Sequence, residues 1–285
     1  MRIAIIADSY PPMRSSAAVM LKDLASEFRN QGYKPVVVVP DSTIDIPVDR
    51  SVIDDVEILR VLCPQSKDIG YLRRTLYELY MPYAMLRQLR NSDFLKEQLD
   101  GIVWYSPSIF HGPLVKALKK KHGCKGYLIL RDIFPEWAVN LGIMGRGLPY
   151  RFFKLIEAYQ YSVADKVGVQ TPANLEYFQK WQSPKRGQIE VLYNWLSVSE
   201  SAECTISLRE SSLTGRKIFV YAGNMGKAQN IGPFINVIAM VDQMRDDIGF
   251  VFVGRGSEVK SLTKEVIDRD LSNILIFDEI RYNEI

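Results

Sequence analysis

The sequence predicts an α/β protein made of two doubly wound parallel sheets in tandem. Three observations predict this class. Short apolar, β-branched runs such as Val36–Val39 alternate with segments of helical spacing over the whole chain, the pattern of βα units feeding a parallel sheet. The alternation lapses between Tyr193 and Gly215, a serine- and threonine-rich stretch without a sustained period, and restarts at Ile218. A length of 285 residues with 47% hydrophobic content is enough for two cores.

Taken in order, Ile3–Ala7 reads as a buried strand and Asp8–Arg14 as a loop held irregular by two prolines. Ser15 or Ser16 caps a helix starting near Ala17, with Val19 or Met20, Leu24 and Phe28 on its apolar side and Gly32 ending it. Val36–Val39 is a second strand and Glu57–Leu62 a third. Leu72–Leu99 has long helical periodicity, expected to break near Pro82. Ile102–Tyr105 is a strand, Ser106–Pro113 a loop, and Leu114–Lys121 a helix whose lysines suit a C-terminus carrying partial negative charge. A strand at Tyr127–Leu130, a loop at Arg131–Pro135 and a helix at Leu155–Tyr161 follow. The half closes with a strand at Lys166–Val169, a helix from Pro172 and a strand at Ile189–Leu192. Beyond the linker come strands at Ile218–Tyr221, Phe250–Val253 and Ile274–Phe277, with helices between. The expected organisation is therefore residues 1–195, a linker at 196–215, and a partial second domain at 216–285. Three strands are few for such a sheet, so an exposed sheet edge and an uncovered apolar face are expected there.

Composition narrows the function classes. A net charge of +3 does not argue for nucleic acid. No window approaches the run of roughly 18 apolar residues needed to span a bilayer, and the apolar N-terminus stops at Asp8, too short for a signal peptide, so a cytoplasmic protein is expected. Three cysteines without metal spacing read as reduced thiols, and His111 and His122 alone make a histidine-based metal site unexpected; no metal and no cofactor are predicted.

The stretch Ile218–Asn230 carries the sharpest chemical signal. An apolar strand ends at Ala222–Gly223, Gly226 follows, and Lys227–Ala228 opens a segment with Ile231, Phe234, Ile235, Ile238 and Val241 on one face. Glycines that let amides approach closely, a helix N-terminus and Lys227 together form an expected site for phosphate, to which Asn224 adds a side chain. The plainer reading is an ordinary βα turn. Gly254 and Gly256 follow the next strand and are assigned to the nucleobase or ribose, against a tight turn. Asp132 and Arg131 follow the strand Tyr127–Leu130, at the end where open α/β sheets place ligands. Asp132 is a candidate to orient an acceptor hydroxyl, or else to cap a short helix near Pro135; Arg131 is a candidate acceptor contact or the salt-bridge partner of Asp132. His111, Ser106 and Ser108 occupy the equivalent loop one strand earlier, as proton relay and polar contacts or as satisfied loop residues. Tyr71–Arg90 mixes arginines, tyrosines and leucines in a way that fits either an anionic membrane surface or a domain-packing helix.

The stretches GIVWYSPSIFHGPLV (Gly101–Val115), YLILRDIFPEWA (Tyr127–Ala138), NLEYF (Asn174–Phe178), EVLYNW (Glu190–Trp195), YAGNMGKAQN (Tyr221–Asn230) and FVFVGRGSEV (Phe250–Val259) resemble family-4 retaining glycosyltransferases of the GT-B fold, most of all the subgroup adding fucosaminyl-type sugars in bacterial O-antigen or capsule synthesis. The resemblance spans essentially the whole chain. It implies two Rossmann-like domains facing across a cleft, a nucleotide-diphosphate sugar, expected to be UDP-linked, on the second domain, and a lipid-linked glycan acceptor on the first. It implies transfer with retention and without metal, catalytic roles for Asp132 and His111, and acceptor contacts from Arg14, Ser15, Ser16, Ser106 and Arg131. Peripheral attachment to the inner face of the cell membrane also follows from it. Two features depart from the family pattern. Arg14–Ala17 stands where many members carry a glycine pair, and the C-terminal acidic motif is absent, so a truncated second domain is expected. An incomplete or inactive homologue acting only as a binding protein is the alternative from another class. An epimerase is disfavoured by having two histidines, and a dinucleotide dehydrogenase by the lack of G-x-G-x-x-G after Ile3–Ala7.

Overall fold

The computed structural model describes residues 1–13, 15–65, 69–179, 188–197, 202–226, 229–281 and 284. The chain divides into two compact units, Met1–Ser197 and Val198–Ile285. Residues 202–215, expected as linker, belong to the second unit, where Ile206 and Leu208 pack beside Leu213, Val251 and Val253.

The first unit is built on one eight-stranded sheet. Strand β1 (Arg2–Ile6) leads through helix α1 (Ser16–Asn30) to β2 (Lys34–Asp41). The hairpin β3 (Val48–Ile53) and β4 (Val56–Leu62) follows, then α2 (Tyr71–Arg90). Next come β5 (Gly101–Tyr105), α3 (Gly112–His122), β6 (Lys125–Leu130), α4 (Glu136–Asn140), α5 (Leu148–Val163), β7 (Lys166–Val169), α6 (Pro172–Gln179) and β8 (Gln188–Val191). The strand order is β3-β4-β2-β1-β5-β6-β7-β8, parallel throughout except for the β3–β4 pair. Alternation along β1 sends Ala4 and Ile6 to one core, with Val36, Trp104, Leu114 and Met85, and Ile5 and Ala7 to the other, with Leu21 and Ala25 of α1. Burial on both faces explains why the β1 and β2 sequences are continuously apolar.

Three expectations need correction. Edge strand β3 was not expected: its sequence VDRSVI is half-exposed, and the turn into β4 uses Asp54 and Asp55 at φ 50° and 60°, without the Asn-Gly signature of such turns. Helix α2 runs through Pro82 unbroken and ends at Arg90, before a short 3-10 turn at Asp93–Lys96. Helix α1 is capped as expected, the Ser15 hydroxyl accepting from the Ala18 amide at 3.1 Å, and the expected Leu24 and Phe28 pack partly buried against the core, but the fully buried residues are Ala18, Leu21 and Ala25, one position round. Small alanines let α1 lie close to the sheet.

The second unit holds β9 (Lys217–Ala222), α7 (Gly232–Met244), β10 (Ile248–Val253), α8 (Val259–Asp268) and β11 (Ile274–Phe277), with the parallel order β11-β10-β9. Ring pairs Phe219–Phe250 at 5.8 Å and Tyr221–Phe252 at 5.3 Å stack across β9 and β10. Among the described residues strand β9 pairs on one side only, and Phe219 and Val220 are 59% and 61% exposed. The expected open edge is thus present. The corresponding strand of the first unit, β1, has neighbours on both sides.

Candidate functional site

In the first sheet the chain leaves β1 for β2 on one side and later returns to place β5 on the other. The β1/β5 boundary is therefore the switch point, where open parallel sheets bind ligands beyond the carboxyl ends of their strands. Asp8 follows β1 and His111 closes the loop after β5. His111 Nε2 lies 3.0 Å from Asp8 Oδ1, so one hydrogen bond spans the switch point. The His111 side chain is fully buried, its Nδ1 has no hydrogen-bond partner among the described residues, and its backbone heads α3. Asp8 is one-third open to solvent. Glu78 of α2 is near enough to feel both; burial raises its carboxyl pKa and the Asp8 charge adds to the rise, against the lowering effect of Arg74.

The loop between β5 and α3 is held from α5. Gln160 Nε2 donates to the Ser108 carbonyl at 2.8 Å, while Gln160 Oε1 and the Ser106 hydroxyl are buried without partners. Buried polar atoms left unpaired next to a switch point mark where an ordered water or a ligand hydroxyl would be taken up. Gly112 is needed for this packing, because a Cβ there would press against the Tyr159 ring at 3.0 Å. Ser15 and Ser16 are exposed at the start of α1, with Ser15 Oγ 3.4 Å from Ser9 Oγ. Arg14 lies outside the described residues.

Beyond β6 the three polar residues Arg131, Asp132 and Glu136 separate. The Arg131 guanidinium lies over the Trp195 ring at 4.8 Å and the Tyr105 ring at 6.0 Å, and Nη1 donates to the Leu192 carbonyl at 3.1 Å. Burial lowers its pKa, and the neighbouring Tyr105 hydroxyl opposes that. Arg131 therefore ties the end of β6 to the segment after β8 and forms no ion pair with Asp132 among the described residues. Asp132 does not cap α4, whose N-cap is Pro135 without a side-chain hydrogen bond. Its side chain is exposed, yet the surrounding protein raises its carboxyl pKa, an effect that open solvent moderates. Glu136 accepts from Tyr150 at 2.6 Å and Tyr177 at 3.2 Å and ion-pairs with Lys154 at 3.3 Å. Lys154 also pairs with Glu157, which is fully buried, and the Tyr161 hydroxyl donates to that same carboxylate at 3.0 Å. This network clamps α4, α5 and α6 together behind Asp132.

In the second unit the turn after β9 is tied to the turn after β10. The Gly223 amide donates to the Val253 carbonyl at 2.9 Å, and the Met225 amide to the Arg255 carbonyl at 2.8 Å. The Gly226 amide donates to Gln229 Oε1 at 3.2 Å, and Asn224 Nδ2 donates to the same oxygen at 3.0 Å. The amides of Gly223 and Met225 are thus committed to protein carbonyls; those of the Gly226–Asn224 pair meet a side chain that an anion can displace. Helix α7 starts at Gly232 rather than at Lys227, with Pro233 in its first turn, and Asn230 enters the left-handed region at φ 48° just before it. Ile231, Ile235 and Ile238 are buried as expected, but Phe234 is exposed. Lys227 lies outside the described residues.

Gly254 and Gly256 have a definite structural reason. Gly254 has φ 146°, and a Cβ would overlap the Gly223 carbonyl; a Cβ on Gly256 would overlap the Met225 carbonyl. Gly254→Val is expected to unfold the second unit selectively. Limited proteolysis should cut within 202–281 while Met1–Ser197 survives; a variant as resistant as the parent would show that this backbone contact is dispensable.

Asp8, Glu78 and Gln160 were not singled out from the sequence. Asp8 satisfies the criterion applied to Asp132, an aspartate directly after an apolar strand, and that signal would have found it. Glu78 and Gln160 sit within helical patterns and carry no signal of their own.

Among solved structures the chain is similar to sucrose-phosphate synthase from Thermosynechococcus elongatus, with TM-score 0.70 at 12% identity over 99% of this chain and 71% of that one. It is similar to the UDP-forming trehalose-phosphate synthase of Burkholderia xenovorans, also with TM-score 0.70 at 12% identity, over 99% of this chain and 75% of that one. The fold is GT-B. A third likeness, to TarM of S. aureus, has TM-score 0.60 at 11% identity over 98% of this chain and 77% of that one. No family model matches the sequence. A probable glycosyltransferase of Pseudomonas aeruginosa, WbjE, is 24% identical over 163 residues, 55% of this chain and 40% of the relative's length.

Proposed function

We propose that this chain transfers a sugar from a nucleotide-diphosphate donor to a glycan acceptor. The observation that carries the reading is the Asp8–His111 hydrogen bond across the switch point of a GT-B first domain. In this reading the acceptor hydroxyl is oriented by Asp8 and His111, with Asp132 in the loop after the neighbouring strand β6, and with Ser106 and Arg131 as further acceptor contacts. The donor diphosphate lies against Gly226, Asn224 and Lys227 of the second unit and displaces Gln229 Oε1, with Gly254 and Gly256 shaping the adjoining turn. The protein's work is positioning and stabilisation of the departing diphosphate charge. For retention, the acceptor oxygen bonds to the anomeric carbon on the face that the diphosphate leaves, and the hydroxyl proton passes to the leaving phosphate oxygen.

The finer parts of the reading are a UDP donor carrying an N-acetylfucosamine-type sugar, and a lipid-linked acceptor in O-antigen or capsule synthesis. They are supported by the motif resemblance. A peripheral position on the inner membrane face is consistent with α2 and with the absence, among the described residues, of a helix long and apolar enough to cross a membrane. The rival reading, an inactive binding protein, draws on the open β9 edge and on the committed amides of Gly223 and Met225. Incubation of the chain with nucleotide-sugars and a polyprenyl-diphosphate-linked acceptor separates the two. Release of nucleoside diphosphate dependent on acceptor supports transfer; binding of acceptor without release supports the rival.

A further inference from the structure

We infer that Gln160 of α5 is a positioning residue: acting through the loop after β5, it holds the His111 imidazole in place opposite Asp8. Helix α5 turns polar side chains toward the core. Glu157, Gln160 and Tyr161 are buried there, while Leu148 and Leu155 are exposed. Phe153, Glu157 and Gln160 are spaced four and three residues apart, so they share one face of the helix. The first and last of these three reach the loop that carries His111.

Backbone bonds fix that loop at its two ends. The Ser106 amide donates to the Ile129 carbonyl at 2.9 Å, and the His111 carbonyl accepts from the Val115 amide at 3.0 Å. Between these ends Pro107 has no N–H, and the Phe110 amide donates to the Ser108 hydroxyl of the same loop at 3.3 Å. Contacts from α5 hold the middle. Gln160 Nε2 donates to the Ser108 carbonyl at 2.8 Å, and the Phe153 ring meets Phe110 edge-on at 6.5 Å. On the far side of His111, a Cβ on Gly112 would press on the Tyr159 ring at 3.0 Å and on the Gln160 Cα at 3.3 Å. The α5 backbone thus runs against the first residue of α3. One helix therefore fixes residues 108, 110 and 112, and His111 lies among them.

Glutamine at position 160 serves geometry rather than stability. Ser108 is only partly buried, so water can satisfy its carbonyl. Gln160 is fully buried, and a carbonyl can only accept, which fixes the donor end of the Gln160 amide on Ser108. The Oε1 end then has no partner among the described residues, and burying an unpaired amide oxygen costs stability. An apolar side chain of the same length would fill the space without that cost, but it cannot supply direction. Apolar packing lets a loop slide, whereas a buried hydrogen bond sets both a distance and an angle. His111 depends on such precision, because its Nε2 must meet Asp8 Oδ1, at 3.0 Å, across the switch point. Displacing a reacting group by about 1 Å can lower a rate on the order of a hundredfold. The consequence for transfer rests on the function proposed above; the positioning of the ring does not.

The test is nuclear magnetic resonance of the whole chain carrying isotopically labelled histidine, read at the ring nitrogens. The chain has two histidines, and His111→Ala identifies which signals belong to which. Gln160→Met keeps the length of the side chain and removes the donor. It should move the His111 signals beyond their linewidth and leave those of His122, at the other end of α3, in place. Gln160→Leu removes the same donor from a shorter side chain and should do the same. Tyr161→Phe removes a buried hydrogen bond of the same helix that goes to Glu157, and should leave the His111 signals unmoved. In a transfer assay Gln160→Met should lower kcat roughly tenfold with an unchanged KM for the nucleotide-sugar. His111 signals that superimpose on the parent's in both Gln160 variants, or that move equally in Tyr161→Phe, would overturn the inference. An active parent whose kcat is indifferent to Gln160→Met would overturn it as well. A parent without transfer activity, in which Gln160→Met still moves the His111 signals, would count against the transfer reading and for the positioning.

Discussion

His111→Ala is expected to lower glycosyl transfer by roughly two orders of magnitude, the usual cost of misplacing a reacting group. The His111 imidazole is fully buried and bonds to Asp8 through Nε2, and among the described residues its Nδ1 has no partner, so the ring is held in one orientation at the switch point. Removing the ring leaves Asp8 without its partner and the acceptor hydroxyl without an oriented neighbour. Asp8→Asn keeps the shape but replaces the carboxylate that His111 Nε2 meets with an amide, so turnover should fall in that variant too. A purely structural histidine would instead lower the thermal midpoint of unfolding in proportion to any lost turnover.

Lys154→Met is expected to destabilise the first unit by about 3–5 kcal/mol, because it strands the carboxylate of Glu157 in a buried position. Urea unfolding measures this. The pH dependence has a definite sign. Burial already raises the Glu157 pKa in the native state, with Lys154 opposing the rise. A carboxyl with a raised native pKa binds more protons folded than unfolded, so its destabilising effect is full at neutral pH and fades as pH falls through that raised value. Glu136 behaves oppositely. Burial would raise its pKa, but hydrogen bonds from Tyr150 and Lys154 outweigh that and hold it below the ordinary glutamate value. Its contribution is present above the ordinary value and disappears as pH falls through the lowered one. In the Lys154→Met variant the deficit should therefore shrink on mild acidification. A deficit independent of pH would show that Glu157 is not the stranded charge.

Much of the architecture was legible because parallel strands buried on both faces leave a local signature. Val36–Val39, Tyr127–Leu130, Lys166–Val169 and Ile274–Phe277 all fall within observed strands. Edge strand β3 left none, because a half-exposed strand is polar and its turn relies on two aspartates in the left-handed region. The full length of α5 was hidden by its inversion: a pattern search looks for apolar residues facing the core, and here a buried Glu157, paired with Lys154 of the same helix and with the Tyr161 hydroxyl, faces it instead. The site was legible in parts. His111 and Asp132 could be read from their places after strands, but the bond between His111 and Asp8 joins residues 103 apart in sequence and exists only once β1 and β5 are neighbours. At the second site the glycines were visible, whereas the preference of Gly254 and Gly256 for carbonyls of the neighbouring turn was a matter of tertiary packing.

The most direct test is titration of the isotopically labelled chain with a nucleoside diphosphate, followed through backbone amide shifts. Saturable shifts centred on Asn224–Asn230 and Gly254–Gly256, with the Gln229 side-chain amide released and the affinity reduced in Lys227→Ala, are the predicted result. Absence of any shift at ligand concentrations on the order of tens of millimolar, beyond the roughly −4 kcal/mol that a millimolar site represents, would contradict it. Saturable shifts confined to Met1–Ser197 would contradict it equally.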